Sequence, residues 1–208
     1  MNKVSIAIAL SAVFACNVAL AASSKRTNYS IESSEFREVQ LEMSIGEMEI
    51  EVYDGDSIEI DIELIAKRRW FSFQRGEVDD IELEQREQGD SLYLGIDDDG
   101  LDQTWHVRLP AHLALDVEVG VGDIRIDNFS NSLLLDLGVG AVEVNLTTMD
   151  YREVAVSAGV GDAVIRGFGR GTDNERNLLV GADAYYQGEG QYNIEIEVGV
   201  GDAQVRAR

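Results

Sequence analysis

Apolar and polar residues alternate along most of the chain from Leu41 onward. Residues 58–64, 105–109 and 115–119 each carry an apolar side chain at every second position, with charged or polar residues between them. Because successive side chains of a β-strand point to opposite faces, each run predicts a strand with one buried and one solvent-facing side. No segment has the i, i+3, i+4, i+7 spacing of an amphipathic helix, so we expect almost no helix after the N-terminal segment.

The C-terminal half contains an internal repeat. Gly-Val-Gly followed by Asp or Ala begins at Gly120, Gly138, Gly159 and Gly199, and Val180-Gly181-Ala182-Asp183 is a degenerate copy. The fourth motif position recurs at 123, 141, 162, 183 and 202, with spacings of 18, 21, 21 and 19 residues. Propeller blades need about 40 residues, so this period favours a solenoid. The sequence therefore predicts an all-β, single-stack β-solenoid, similar to a parallel β-helix, with coils of roughly 20 residues and Gly-Val-Gly-Asp corners.

Each copy has the same internal order of strand, glycine corner and strand. Glycine suits such a corner because it adopts backbone conformations that a Cβ forbids, and because stacked corners approach closely. Ser44-Ile45-Gly46-Glu47 begins an early, divergent copy. One column of the second strands should face a shared interior; its members are the pairs Ile124/Ile126, Val142/Val144, Ala163/Ile165, Ala184/Tyr186 and Ala203/Val205.

The N-terminus has the order of a secretory signal peptide. Lys3 precedes an apolar run at 4–14, and Ala19-Leu20-Ala21 supplies a cleavage site. The run is too short to span a bilayer core of about 30 Å, and a buried helix is a weaker interpretation because no amphipathic period crosses it. The predicted organisation is a signal peptide at 1–21, an N-terminal segment or cap at 22–40, and the β-solenoid domain at 41–208.

Export to the periplasm or the cell surface follows from this signal peptide. A second interpretation concerns Cys16, because Val13-Phe14-Ala15-Cys16 resembles a weak bacterial lipobox. Cleavage there would leave a lipoprotein anchored to a membrane through Cys16. Charged residues interrupt every later apolar stretch, so the mature chain should contain no transmembrane span.

The composition argues against several classes of protein and of binding site. The 208 residues include 39 acidic and 17 basic side chains, a net charge of −22, which argues against nucleic-acid binding. A hydrophobic fraction of 45% is too high for a disordered acidic tail. The single Cys excludes an internal disulfide framework, and there is no Cys/His cluster for zinc.

A family resemblance rests on three segments. Leu109-Pro110, the strand at 113–119 and Gly120-Val121-Gly122-Asp123-Ile124 resemble the DUF4097-like family named "putative adhesin", which consists of exported bacterial β-solenoid domains. The resemblance covers about residues 35–208. It implies an exported, repetitive, all-β module, and the adhesin name rests on architecture rather than on a known activity.

The motif aspartates form the first candidate site. Asp123, Asp162, Asp183 and Asp202, interrupted by Ala141, should lie one above another at about 4.8 Å per coil. In the simpler interpretation, each carboxylate caps its own turn by accepting a backbone N–H bond. The alternative is weak Ca²⁺ binding by the column. No other cofactor is expected.

A basic, aromatic segment at 67–75 is the second candidate site. It contains four cations and three aromatic residues in nine positions of an otherwise acidic chain; the candidate binding residues are Arg68, Arg69, Trp70, Phe71 and Phe73. Such a segment could bind an anionic glycan, a lipid headgroup or an acidic protein face. The other interpretation is that the segment caps the open end of the solenoid or packs beneath a loop.

Catalytic motifs are absent from the sequence. His106 and His112 have no nucleophile or motif around them, and with 39 acids, pairs of carboxylates arise by coincidence. We therefore expect a non-catalytic, adhesin-like binding or structural module of the bacterial cell envelope. Its partner would be an envelope protein or glycan, and open solenoid ends could self-associate end to end. The alternative is a carbohydrate-active enzyme of the β-helix type acting on envelope or acidic polysaccharide.

Overall fold

The computed structural model describes residues 24–66, 78, 80–169, 172–176 and 181–207. Within them the chain forms strands and no helix, as the alternating pattern predicts. The strands are β1 (Ser24–Glu32), β2 (Glu38–Tyr53), β3 (Ser57–Ala66), β4 (Glu84–Gln88), β5 (Ser91–Ile96), β6 (Leu101–Pro110), β7 (Ala114–Phe129), β8 (Leu133–Leu146), β9 (Tyr151–Val160), β10 (Ala163–Arg166), β11 (Thr172–Arg176), β12 (Ala182–Gln187) and β13 (Tyr192–Ala207).

All of these strands belong to one mixed, mostly parallel sheet. Its order is β1-β3-β6-β2-β7-β8-β13-β9-β12-β11, with β10 paired to β13, and with β5 between β2 and β4. The four long strands β2, β7, β8 and β13 are parallel neighbours in that order. Antiparallel pairs lie towards both ends, where β1 and β3 extend β6, and β12 and β11 extend β9.

The glycine corners of five neighbouring strands are in register. Val121 of β7 lies opposite Ile45 of β2 and Val139 of β8, and Val200 of β13 lies opposite Val139 and opposite Val160 of β9. The predicted row of corners is therefore confirmed for the four regular copies and for the early copy.

Close backbone stacking explains the glycines of this row. A Cβ on Gly140 would lie 1.7 Å from the carbonyl oxygen of Gly122, and a Cβ on Gly201 would lie 1.7 Å from that of Gly140. Both residues have φ values, +146° and +142°, that side-chain-bearing residues rarely adopt. Each corner is thus packed directly on the backbone of the next one.

The hydrophobic core follows the long strands through the corner. On β7 the buried residues before the corner are Val117 and Val119, and those after it are Ile124 and Ile126. The buried positions therefore change from odd to even numbers, and Val121 is exposed where strict alternation would bury it. Four of the five predicted pairs of the interior column are confirmed, because their residues are buried on neighbouring parallel strands. The four pairs are Ile124/Ile126, Val142/Val144, Ala203/Val205 and Ala163/Ile165.

The predicted single-stack solenoid is not shown by the structure. In chain order β9 would follow β8 in the stack, but β13 lies between them. The degenerate copy begins the antiparallel β12, so Ala184 lies opposite Val156 of β9 rather than in the interior column. β9 and β13 both carry buried apolar residues at the same register. By its own pattern of apolar residues, either strand could therefore pair with β8. The period alone therefore does not determine which units become neighbours.

The predicted N-terminal segment, 22–40, contains β1 and the first residues of β2. β1 is an edge strand that pairs with β3 along its full length. Ser33, which is buried, follows β1 and donates a 2.7 Å hydrogen bond from its hydroxyl to the carbonyl oxygen of Asp56. The predicted signal peptide at 1–21, including Cys16, lies outside the described residues. No helix within the described residues is long and apolar enough to cross a bilayer.

Candidate functional site

The corner exposes a row of apolar side chains. Val121, Val139, Val200 and Val160 lie side by side on β7, β8, β13 and β9, and each is 45–47% exposed. We call these four residues the valine row. Neighbouring strands are about 4.8 Å apart, so the row is about 14 Å long. Ile45 of β2 continues it at one end as a partly buried residue.

Glycine borders the valine row on both sides. The residue before each valine is Gly120, Gly138, Gly199 or Gly159, and the residue after it is Gly122, Gly140, Gly201 or Gly161. Because these positions carry no side chain, the valines stand above bare backbone. A surface furrow of about 550 Å³ runs along the first set of glycines, beside Glu118, Asp136 and Glu197.

Two rows of acidic residues lie beyond the glycines. Three positions before the valine row is the leading acidic row, which consists of Glu42, Glu118, Asp136 and Glu197. Two positions after it is the trailing acidic row, which consists of Glu47, Asp123, Asp202 and Asp162. Ser157 and Ala141 occupy the remaining position of each row. The sheet thus presents an apolar strip between two lines of negative charge.

Burial and neighbouring negative charges raise the pKa of one carboxyl group beside the leading acidic row. Asp116 lies two residues before Glu118 on β7. Burial is the largest cause of its raised pKa, and the charges of Glu38, Asp136 and Glu118 add to it. Each of these effects disfavours the ionised form of Asp116. Asp136 and Glu118 of the leading acidic row therefore contribute to the raised pKa of Asp116.

The predicted aspartate column is only partly brought together. Asp123, Asp202 and Asp162 belong to the trailing acidic row, with Ala141 between Asp123 and Asp202. Asp183 lies apart from them, on antiparallel β12 opposite Ser157, so its inclusion in the column is corrected. The degenerate repeat that contains Asp183 pairs in the opposite direction to the regular copies.

One hydrogen bond in the column differs from the predicted capping of each turn by its own aspartate. The backbone N–H of Asp162 donates to the Asp202 carboxylate over 3.0 Å, so Asp202 caps the corner of the neighbouring strand rather than its own. Among the described residues, no group of three or more acidic, His or Cys side chains is arranged to hold a metal ion. Weak Ca²⁺ binding stays a prediction.

The second predicted site lies outside the described residues. Arg68, Arg69, Trp70, Phe71 and Phe73 all belong to the undescribed interval between β3 and Val78. Their binding role stays a prediction.

A second surface groove lies beside the trailing acidic row. It encloses about 580 Å³ and is lined by Glu49, Arg125 and Glu143 among others. The Arg125 guanidinium contacts Asp127 at 2.8 Å and Glu143 at 3.3 Å. His106, on the far side of Glu49, contacts that carboxylate at 3.0 Å, and both side chains are more than half exposed. Cations and carboxylates therefore already pair here, on an open surface.

Sequence reasoning missed the valine row. The repeated motif predicts roles for its glycines and aspartates. It does not predict whether the valine between two glycines is buried or exposed. The signal that could have found it is the change of parity across each motif. Apolar residues occupy odd positions up to Val119 and even positions from Ile124, so Val121 belongs to neither buried series.

The fold and this surface define an all-β sheet protein with an extended, acidic and apolar face. The family model of the N-terminal domain of toast_rack, DUF2154, matches residues 20–166, and the chain belongs to this family. The DUF4097-like resemblance drawn from the repeats stays a prediction beside it. None of the curated proteins matches the chain.

Two solved structures are similar to this chain in the course of the backbone. A "putative cell adhesion protein" from Clostridium sporogenes is 16% identical, with a TM-score of 0.49 over 89% of this chain and 100% of that one. A "putative adhesin" from Parabacteroides merdae is 9% identical, with a TM-score of 0.28 over 88% and 96%. These similarities are too distant to assign a function, which must be argued from the site.

Proposed function

We propose that the protein is a non-catalytic, exported, adhesin-like binding module of the bacterial cell envelope. The observation that supports this proposal is the valine row, four apolar side chains exposed together between two acidic rows. Contiguous exposed apolar side chains rimmed by polar residues are typical of interaction surfaces. The strands β7, β8 and β13 that carry most of the row are hydrogen-bonded on both sides, so the surface is held in a fixed shape.

The arrangement of the charged groups favours binding over catalysis. General acid–base chemistry uses groups with shifted pKa values in water-excluded sites. The His106–Glu49 pair is open to solvent, and Arg125 forms ion pairs with Asp127 and Glu143 on an exposed face. Asp116, whose pKa is raised, lies on the other side of the corner from these groups.

The alternative function is a carbohydrate-active enzyme. The groove of about 580 Å³ is the observation that favours it, because its lining combines Glu49, Glu143 and Arg125. A pair of carboxyl groups is what most glycoside-cleaving enzymes use. Incubation with acidic and envelope polysaccharides, followed by measurement of reducing ends, tests this function. We expect no release above a protein-free control.

Export is part of the proposal. The order of Lys3, the apolar run at 4–14 and Ala19-Leu20-Ala21 supports a signal peptide at 1–21. Cell fractionation should place the processed chain in the periplasm or at the cell surface. A Cys16→Ser variant separates the two processing routes, because only a lipoprotein would lose its membrane attachment through this change.

Co-sedimentation with isolated bacterial envelopes tests the binding function. The processed chain, residues 22–208, should bind saturably, and its capture should fall as the salt concentration rises because the surface is charged. A control in which the same chain is denatured beforehand accounts for nonspecific trapping. A native chain that stays entirely in the supernatant at every concentration would contradict the proposed function and would favour a purely structural role.

A further inference from the structure

We propose that the valine row and its two acidic rows bind a basic amphipathic α-helix of a partner protein. This inference deepens the proposed function and rests on it. The helix would lie along the valine row, across β7, β8, β13 and β9, with its apolar stripe on the valines. Lysine and arginine side chains on the two edges of the stripe would contact the leading and trailing acidic rows.

The spacing of the valines fits a helix. Side chains of the row repeat at the strand separation of about 4.8 Å, and one helical turn rises about 5.4 Å. An apolar residue at every third or fourth helical position therefore stays close to one valine per turn over the row. In a β-strand laid along the row, side chains on the same face would be about 6.7 Å apart. This spacing differs so much from the valine spacing of about 4.8 Å that the side chains would be out of step with the valines by the second valine.

The width of the surface fits a helix as well. The trailing acidic row is two residues from the valines, at most about 7 Å, and the leading row is three residues away, at most about 10 Å. A helix with its side chains is about 10–12 Å across. Cationic side chains on its edges therefore reach both acidic rows, while the furrow along Gly120, Gly138 and Gly199 leaves room for its larger side chains.

The acidic rows determine the charge of the partner. Glu118 lies directly opposite Asp136, and Asp136 lies directly opposite Glu197, all on the exposed face. Like charges at such positions repel, so the isolated sheet tolerates an unfavourable arrangement that a cationic partner relieves. An anionic membrane or the same face of a second copy would add to the repulsion. A basic helix is the occupant that satisfies both the apolar and the charged parts of the surface.

A synthetic peptide tests this inference directly. The probe is a peptide of about 18 residues, with leucine at every third or fourth position and lysine at the positions flanking each leucine. The control peptide has glutamate in place of every lysine. Calorimetric titration of residues 22–208 should show saturable binding of the lysine peptide, at least tenfold tighter than any binding of the glutamate peptide. Raising the salt from about 50 to about 500 mM should weaken it about tenfold.

Two double variants locate the binding. Val139→Thr with Val200→Thr keeps the branched shape and replaces one methyl group of each exposed valine, so affinity should fall about tenfold. Asp136→Asn with Glu197→Gln should weaken binding several-fold and reduce its dependence on salt. Because the second change also removes repulsion between neighbouring strands, the variant stays folded, and the loss of affinity reports on the surface itself. Glu87→Gln on β4, six residues from the corner along the paired strands, is the matched control.

Several results would overturn the inference. Equal affinity for the two peptides, or unchanged affinity in the threonine variant, would show that the valine row is not the binding site. Dimerisation in sedimentation velocity that the threonine variant abolishes would assign the surface to a second copy, and binding to anionic vesicles would assign it to a membrane. If the chain binds envelopes but not the lysine peptide, the helix proposal fails and the proposed function stands. If it binds neither, both fail.

Discussion

The indole N–H of Trp105 donates a hydrogen bond to the side-chain oxygen of Gln103 over 3.0 Å, and both side chains are buried. The Gln103 amide in turn donates to the carbonyl oxygen of Ile96 over 3.1 Å. Ile96 ends β5 and Gln103 belongs to β6, so this chain of bonds joins two strands that pair with successive parts of β2. This chain of hydrogen bonds lies beside Gly46, at the position of a regular corner. A Cβ built on Gly46 would lie 1.8 Å from the carbonyl oxygen of Gln103.

Gln103→Leu should destabilise the protein by about 2–3 kcal/mol. The change leaves the Trp105 N–H buried without its acceptor, and an unsatisfied buried polar group costs about 1–3 kcal/mol. The Ile96 carbonyl oxygen loses its donor as well. Urea unfolding followed by tryptophan fluorescence measures the difference. Gln88→Leu, at an exposed position on β4, is the control and should change stability by less than about 0.5 kcal/mol. Equal losses in the two variants would contradict the role of this network.

Gly140→Ala should cost more than about 4 kcal/mol or prevent folding. Its Cβ would lie 1.7 Å from the carbonyl oxygen of Gly122, a backbone atom that cannot move without separating β7 from β8. Gly89→Ala separates crowding from backbone conformation, because Gly89 also has a positive φ but no atom lies within 4 Å of a Cβ built there. That control should lose only about 1–2 kcal/mol. Circular dichroism and urea unfolding of both variants measure the difference, and similar losses would show that stacking is not what requires Gly140.

Much of the fold is predictable from local sequence. Alternation predicts the strands, and the repeat predicts that the corners align, because each copy supplies the same buried residues at the same register. Strand order is not predictable in this way. β13 and β9 both present apolar residues that fit beside β8, and the choice depends on the packing of the whole sheet. The period of the repeat contains no information about that choice.

The candidate site is predictable only in part. Asp123, Asp162 and Asp202 are brought together because they occupy the same motif position on parallel strands. Asp183 is not, because its copy lies on an antiparallel strand, and direction cannot be inferred from a motif of four residues. The exposure of Val121 depends on the bend at the corner, which changes the buried face from odd to even positions.

Asp116→Asn should stabilise the protein at pH 7 and not at pH 3. The pKa of Asp116 is raised above its ordinary value of 3.8, chiefly by burial and then by the charges of Glu38 and Asp136. The folded state therefore holds this proton more tightly than the unfolded state, so the Asp116 contribution to stability falls as the pH rises from 3.8 through the raised pKa. The asparagine side chain is uncharged at both pH values, so the variant does not lose this stability as the pH rises. Urea unfolding at the two pH values measures the effect, with Glu87→Gln as the control, and an equal gain at both would contradict the prediction.

Asp202→Ala should cost about 1 kcal/mol, whereas Asp202→Asn should unfold like the wild type. The carboxylate accepts a hydrogen bond from the backbone N–H of Asp162, and an amide oxygen preserves that acceptor. The capping interpretation also expects no change in melting temperature on addition of millimolar Ca²⁺. Differential scanning calorimetry with and without the metal separates the two interpretations. A Ca²⁺-dependent rise that both variants abolish would favour a metal site over a cap.

Disulfide trapping tests the strand order. A chain that starts at residue 22 contains no cysteine of its own, so only two introduced cysteines can form an intramolecular bond. Val139 and Val200 lie opposite each other on β8 and β13, at the separation of neighbouring strands, about 4.8 Å, which is within the range that a disulfide spans. Val139 and Val160 are separated by β13, so their Cα atoms should be about 10 Å apart, beyond that range.

Val139→Cys with Val200→Cys should therefore form an intramolecular disulfide under mild oxidation, whereas Val139→Cys with Val160→Cys should keep its thiols. Titration of free thiols before and after oxidation, together with gel mobility under non-reducing conditions, distinguishes the two results. A solenoid that stacks its copies in chain order makes the opposite prediction, because it would place β9 directly beside β8. Cross-linking of the 139/160 pair in preference to the 139/200 pair would thus overturn the strand order, and with it the order of the valines along the proposed helix-binding surface.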